Sequence, residues 1–258
     1  MDLLIVSLAA LVASGLTLFS GFGLGTLLTP VFALFFPVTA AVAMTALVHL
    51  ANNLFKIGLV GRDADWRAVA YFGLPAALAA VCGASMLVLV AGLPAIARYE
   101  LMGGVHQITP VKLVIGGLIF GFALLELSPR FARLALSPRW LPLGGLLSGF
   151  FGGLSGHQGA LRSAFLIKAG LSKEAYVGTG AACTVLVDSV RLGIYGASLR
   201  WEVLEDDGRR LVVGATLAAF LGAWLGKRLL RKLKRRFVEL SVALMMILIG
   251  GGLATGLI

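Results

Sequence analysis

Apolar residues run in long blocks along this chain, and the charged residues collect mainly between them. Six blocks are long enough to predict membrane-crossing helices. Three lie at roughly 38–60, 68–91 and 110–127, and three at roughly 175–197, 210–226 and 237–257. Each is close to the ~20 residues that cover the hydrocarbon core. Two other regions follow a different plan. Residues 3–36 hold an apolar stretch, a glycine-rich interruption at Ser20-Gly21-Phe22-Gly23-Leu24-Gly25, and a short apolar run to Pro37. Residues 141–171 repeat that plan around Gly152-Gly153-Leu154-Ser155-Gly156. Both are expected to be helix–break–helix hairpins, either re-entrant or a pair of short tilted spans.

Composition agrees with the pattern. Of 258 residues, 59% are hydrophobic and only 13% charged, about half the roughly 25% usual in soluble domains. The mean hydropathy is +0.97. One soluble core could not hide so much apolar surface, so a soluble enzyme and a disordered chain are excluded. The 34 glycines suit close helix contacts and helix breaks in a bilayer. Cys82 and Cys183 fall in apolar segments without metal-ligand spacing and read as packing residues. Met1-Asp2 lacks the basic start of a signal peptide, so residues 3–20 are read as part of the fold. No Walker A run, dinucleotide fingerprint or His-Glu-x-x-His motif is present, which argues against an ATP-driven pump and a zinc enzyme.

The net charge of +10 reads as membrane topology rather than nucleic-acid binding. Each half carries an odd number of crossings, so the second half is inverted. With 61–67 placed in the cytoplasm, fourteen Lys and Arg fall inside, in 61–67, 128–140, 168–173 and 227–236. Four fall outside: Arg98, Arg200, Arg209 and Arg210. That bias puts both termini on the periplasmic face of a bacterial inner membrane. The basic run 227–236 reads as a topogenic segment facing lipid headgroups.

A shift of 135 positions aligns the halves, with eight identities over residues 20–66, among them Ser20 on Ser155, Gly61 on Gly196 and Trp66 on Trp201. Asn53 falls on Asp188 and Lys56 on Arg191. His49, Asn53 and Lys56 recur at i, i+4, i+7, as do Thr184, Asp188 and Arg191, which places each trio on one helix face. Inverted repeats with broken helices at matching positions mark secondary transporters, whose substrate sites lie near the midplane. The expected fold is an all-α polytopic membrane protein of two inverted repeats. Each repeat is a glycine-broken helical hairpin followed by three transmembrane helices: 1–127, a cytoplasmic linker 128–140, and 141–258.

The stretch Ser20-Gly21-Phe22-Gly23-Leu24-Gly25-Thr26-Leu27-Leu28-Thr29-Pro30 resembles the Gly-rich segment ending in Pro of the TauE/SafE family, the membrane proteins called sulfite exporters. Gly145 to Gly153 resembles its second-half counterpart, and Tyr176-Val177-Gly178-Thr179-Gly180 its Val-Gly-Thr-Ser segment. The resemblance covers nearly the whole chain. One departure is the run Ser155 to Arg162, which replaces the usual glycine triplet and lacks the later Pro. The resemblance implies a carrier for small sulfur-containing anions such as sulfite or organosulfonates.

An ionisable residue inside a span costs at least ~2.5–3.5 kcal/mol on insertion scales, so each one present is a candidate for function. Lys56 and Arg191 are expected to face one another and hold an anion, Arg191 as a bidentate fork and Lys56 as a point charge. The plain alternatives are an Arg191–Asp188 ion pair and snorkelling of Lys56. Arg162 would add a third cation. His157, Gln158 and Asn53 would contact the anion, and Gly21, Gly23 and Gly25 would offer backbone N–H groups at a helix start. His157, Asp188 and His49 are the proton-coupling candidates. His157, with an unperturbed pKa near ~6.5, stands where the first half has Phe22. No metal site, cofactor or nucleic-acid partner is expected. The partners are a small anion and lipid, with oligomerisation left open. The rival readings are an anion channel and a non-transporting scaffold subunit.

The charge count generates a topology test. Cysteines placed at position 63 or within 229–235 should be shielded from an impermeant thiol reagent added outside intact cells, and cysteines within 203–208 should be labelled. Labelling of both groups from one side would defeat the inverted arrangement.

Overall fold

The computed structural model describes residues 1–17, 23–101, 103–132, 134–167, 169–198, 206–229 and 235–258. Gly21, Phe22, Lys168, Arg200 and the centre of the basic run lie outside the described residues. The chain is built of apolar helices. The first hairpin supplies α1 (Asp2–Thr17) and α2 (Leu24–Ala33), followed by α3 (Val38–Val60), α4 (Trp66–Ala91) and α5 (Pro110–Leu127). The second supplies α6 (Leu141–Ser155) and α7 (Gly159–Leu166), followed by α8 (Lys173–Ser198), α9 (Asp206–Leu229) and α10 (Arg235–Thr255). Among the described residues, five helical segments are long and apolar enough to span a membrane, and Leu240–Thr255 of α10 is a shorter apolar one. The six expected spans coincide with α3, α4, α5, α8, α9 and α10.

Local chemistry sets the helix starts. The Asp65 carboxylate accepts from the N–H groups of Arg67 and Ala68, capping α4. Its own N–H donates to Thr179 Oγ1 at 2.9 Å, which fixes that start to α8. Thr109 caps α5 just ahead of Pro110, a residue suited to the first helical turn. A π-helical turn, Val69–Gly73, sits near the start of α4.

One element was not expected. Strands β1 (Ala97–Leu101) and β2 (Gly104–Ile108) form an antiparallel ribbon between α4 and α5. It corrects the all-helical reading. The ribbon is pinned by Tyr99, whose hydroxyl donates to Thr255 O at 2.6 Å. Gly103 was its sequence signal, at φ +80° in the turn ahead of β2.

Helices pack across the halves. α1 lies on α9, and α4 on α6; α3 lies on α8, and α5 on α10; α3 also touches α9, as α8 touches α4. Each of these contacts has a counterpart in which the halves exchange roles. Glycines make the approaches close. A Cβ on Gly145, Gly149 or Gly153 of α6 would collide with the backbone of Phe72, Ala76 or Ala80 on α4. Gly83 of α4 is barred by Phe150 O, and Gly222 of α9 by Leu11 O. Gly83 and Gly222 stand 139 positions apart, as do Leu11 and Phe150. Where α5 crosses α10, Gly116 and Gly250 face each other, each with the other's carbonyl within 2.8 Å of an added Cβ.

Apolar side chains also cover the outside: Leu78, Leu89, Leu217 and Leu248 are each more than 60% exposed. In water such a surface would aggregate, whereas in a bilayer it meets lipid. The core instead holds charge, with Arg191 and Asp188 fully buried.

The packing predicts opposite outcomes for two glycines. Gly149→Leu should sharply lower the melting temperature in detergent, because backbone rather than a movable side chain fills the space. Gly117→Leu, with nothing within 4 Å, should leave it unchanged or raise it. Equal melting of the two variants would refute close packing at the α4–α6 crossing.

Candidate functional site

The site lies where α3 crosses α8. The two run antiparallel. Near one end, Gly178 of α8 sits against Val60 O of α3; further along, His49 of α3 meets Asp188 of α8. His49 Nδ1 stands 2.9 Å from Asp188 Oδ2. Arg191 Nε donates to Asp188 Oδ1 at 2.9 Å, and Nη2 lies 2.8 Å from the same oxygen. His49, Asp188 and Arg191 are all buried. The carboxylate thus joins two helices from different halves. Spacing explains part of this: Asp188, Arg191 and Tyr195 share one face of α8 at i, i+3, i+7. Tyr195 closes the face by donating to Gly153 O of α6.

The second hairpin breaks beside this cluster. The helix runs through Gly152 and Gly153, which serve packing, and ends at Gly156 in the left-handed region, φ +82°. A Cβ at Gly156 would lie 2.9 Å from Arg191 Nη1, so glycine is needed there both for the turn and for room. Ser148 Oγ donates to Gln158 O at 3.1 Å, tying the far side of the break back to α6. The His157 ring stacks on Phe122 of α5, with centroids 5.5 Å apart. Its Nδ1 lies 3.1 Å from both Ser155 O and Ser155 Oγ. His157 Nε2 and Gln158 Nε2 are buried and without a hydrogen-bond partner among the described residues.

The first hairpin arrives at the same place. A Cβ on Gly25 would stand 3.0 Å from Gly156 O, and one on Gly23 3.7 Å from the Gly159 nitrogen. The two hairpins therefore meet near their breaks; Gly21 lies outside the described residues. Asn52 accepts from Ser14 at 3.1 Å, and Asn53 donates to His49 O of its own helix at 2.7 Å.

Lys56 and Arg191 do not face each other. Lys56 follows the His49–Asp188 contact by seven residues on α3, and Arg191 follows it by three on α8. Because the helices are antiparallel, these steps lead in opposite directions and add to about 15 Å at 1.5 Å per residue. Lys56 is buried within electrostatic reach of Arg162 instead. Arg162 donates to Thr184 Oγ1, which in turn donates to Gly180 O. Two cationic places result. Arg191 sits with Asp188, His49 and the second break, and Lys56 sits with Arg162 and Thr184 toward the other end of the crossing. Sequence reading missed Ser155, Phe122 and Tyr195 as partners of the site. Tyr195 alone carried a signal, its helical spacing from Asp188.

Among the described residues, no group of three or more His, Cys, Asp or Glu could hold a metal, and Cys82 and Cys183 are both free.

A family profile described as Sulfite exporter TauE/SafE matches residues 6–253. No curated protein and no solved structure matches the chain. With nearly its whole length covered, the chain belongs to the TauE/SafE sulfite exporter family. Its family and its apolar helices make it a multi-pass membrane protein, and the family's activity is transport rather than catalysis.

The buried triad predicts a stability ranking. Asp188→Asn leaves the Arg191 charge without its counter-ion and should cost about 3–5 kcal/mol. His49→Ala removes one charge-assisted hydrogen bond and should cost about 1.5–3 kcal/mol. Asp188→Asn combined with Arg191→Gln should recover much of the loss. Melting temperatures in one detergent test this, and an unaltered Asp188→Asn protein would show that the carboxylate does not hold α3 to α8.

Proposed function

We propose that this chain is a secondary transporter that carries a small anion, such as sulfite, an organosulfonate or a related sulfur oxoanion, across the bacterial inner membrane by alternating access. The observation that carries the reading is the meeting of two glycine-broken hairpins at a buried arginine. Helix breaks at membrane depth persist only where protein or a water-filled cavity surrounds the backbone, which is where transporters of this plan place their sites. Free backbone N–H groups at the start of α7 (Gly159–Leu166), together with Arg191, Gln158 and His157, favour a negative ligand. Lys56, Arg162 and Asn53 would serve the anion toward the other end of the crossing, with Gly23 and Gly25 beside the first break.

The reciprocal packing of the helices supports two inverted repeats, 1–127 and 141–258, joined by a cytoplasmic linker. An approximate twofold would then pass through the α3–α8 and α5–α10 crossings. Rocking of one repeat against the other would expose Lys56 and Arg162 to one side and Arg191 to the other. The positive-inside bias supports a periplasmic position for both termini. It also sets the basic run 227–236 against anionic lipid headgroups.

Reconstituted into liposomes, the protein should take up radiolabelled sulfite saturably, and unlabelled sulfite trapped inside should accelerate that uptake by exchange. Conductive uptake without such acceleration would favour a channel. Arg191→Lys keeps the charge but loses the planar fork, and should weaken binding by roughly tenfold or more. Lys56→Ala should weaken it as well, with folded protein confirmed by gel filtration. Unchanged affinity in both variants would make these residues structural.

A further inference from the structure

The hydrogen bonds around His157 fix which ring nitrogen carries the proton. Ser155 O, at 3.1 Å from Nδ1, is a carbonyl and can only accept. Ser155 Oγ, also at 3.1 Å, already directs its own proton to Phe151 O at 3.1 Å, so toward Nδ1 it too accepts. Both contacts require Nδ1–H. In the neutral ring, Nε2 therefore holds a lone pair. That atom is buried, turned away from Ser155, and without a partner among the described residues. Stacking on Phe122 holds the ring in place.

We infer that His157 Nε2 is the atom at which a proton enters the complex together with the anion. The inference rests on the anion-carrier reading above and names the protonation state of the bound species. A fully ionised sulfonate or sulfite brings only lone pairs to the site, and facing lone pairs repel. A proton must lie between them, either moved onto Nε2 as the anion arrives or carried in on the anion as a hydrogen oxoanion. Either way one N–H···O or O–H···N hydrogen bond forms. The complex then holds one proton more than the empty carrier and the ionised anion did.

The surrounding charges ask for the same proton. Arg191 of α8 reaches His157 electrostatically but is already neutralised by Asp188, which also binds His49 of α3. Arg162 lies on α7 beyond the break, and α5 presents Phe122, with Glu126 one turn further on. An anion added beside Arg191 would leave a buried negative charge uncompensated, which hydrocarbon penalises heavily. Protonation at Nε2 offsets one unit of that charge. The first hairpin, with Phe22 at the matching position, offers no such group, so a single proton accompanies each anion.

Calorimetry in buffers of different ionisation enthalpy counts that proton. The probes are sulfoacetate between pH 6 and 8 and sulfite at pH 8.5, conditions in which neither anion changes its own charge appreciably. About one proton should be taken up per anion bound, and sulfoacetate affinity should fall by up to about tenfold per pH unit as pH rises. His157→Gln should still bind but take up none. Nitrogen NMR of histidine-labelled protein, with His157 assigned by difference from His157→Gln, should show the Nδ1–H tautomer. Binding without proton uptake, uptake that survives His157→Gln, or an Nε2–H tautomer would each overturn the inference while leaving the carrier reading intact. Failure of both anions to bind would remove the carrier reading and this inference with it.

Discussion

A bilayer offers nothing to a buried charge, so any ion inside must be answered by the protein itself. Asp188 meets that constraint here. Its two oxygens take His49 from one half of the chain and Arg191 from the other. With both partners buried, no water competes for them. The α3–α8 crossing is consequently more than an apolar contact: it is tied at one carboxylate. The second hairpin break is organised around the same point, since Arg191 extends to Gly156 and Tyr195 holds Gly153 of α6.

The glycines serve two distinct needs. Along α6 they let a helix lie against the backbone of α4, which suits a solvent with no hydrophobic drive between helices. At Gly156 and Gly25 they bring two interrupted helices close enough to share one site. The first role governs stability and the second governs chemistry. The two roles meet within a few residues, because the helix that packs through Gly145, Gly149 and Gly153 is the helix that breaks at Gly156.

Long apolar blocks made the spans legible, because burial in lipid needs continuous hydrophobicity and little else. The face carrying His49, Asn53 and Lys56, and its partner carrying Thr184, Asp188 and Arg191, were legible from helical spacing alone. Direction was not. An offset of 135 makes Lys56 and Arg191 counterparts, yet antiparallel packing separates counterparts that lie off the crossing. The same packing instead joins His49 to Asp188. The break was displaced for a related reason: a run of glycines does not say which of them pack and which turn, and only the approach of Arg191 distinguishes Gly156. Ser155 was invisible as a partner of His157 because a two-residue hydrogen bond exists only once the helix has ended between them. The β-ribbon needed a turn at Gly103 to be read inside the connection between α4 and α5.

In the proposed carrier, chemical inequality between the repeats has a thermodynamic consequence. If the repeats exchanged shapes and were identical, inward-facing and outward-facing states would have equal energy. Here Asp188 stands opposite His49, whereas their counterparts Asn53 and Thr184 are uncharged. Likewise Arg191 is held by a carboxylate, while Lys56 sits with another cation, Arg162. A shape that loosens the surroundings of Asp188 exposes an ion pair; the mirrored shape loosens Asn53 and Thr184, the latter held by Arg162. The two states then differ by the cost of rehydrating or stranding that pair, a matter of several kcal/mol rather than tenths. A bound anion acts on this difference, because it competes with Asp188 for Arg191 and so changes the charge balance beside the His49–Asp188 contact between α3 and α8. The resting bias of such a carrier would therefore be set by the carboxylate, and its release by the ligand that shares the carboxylate's partner.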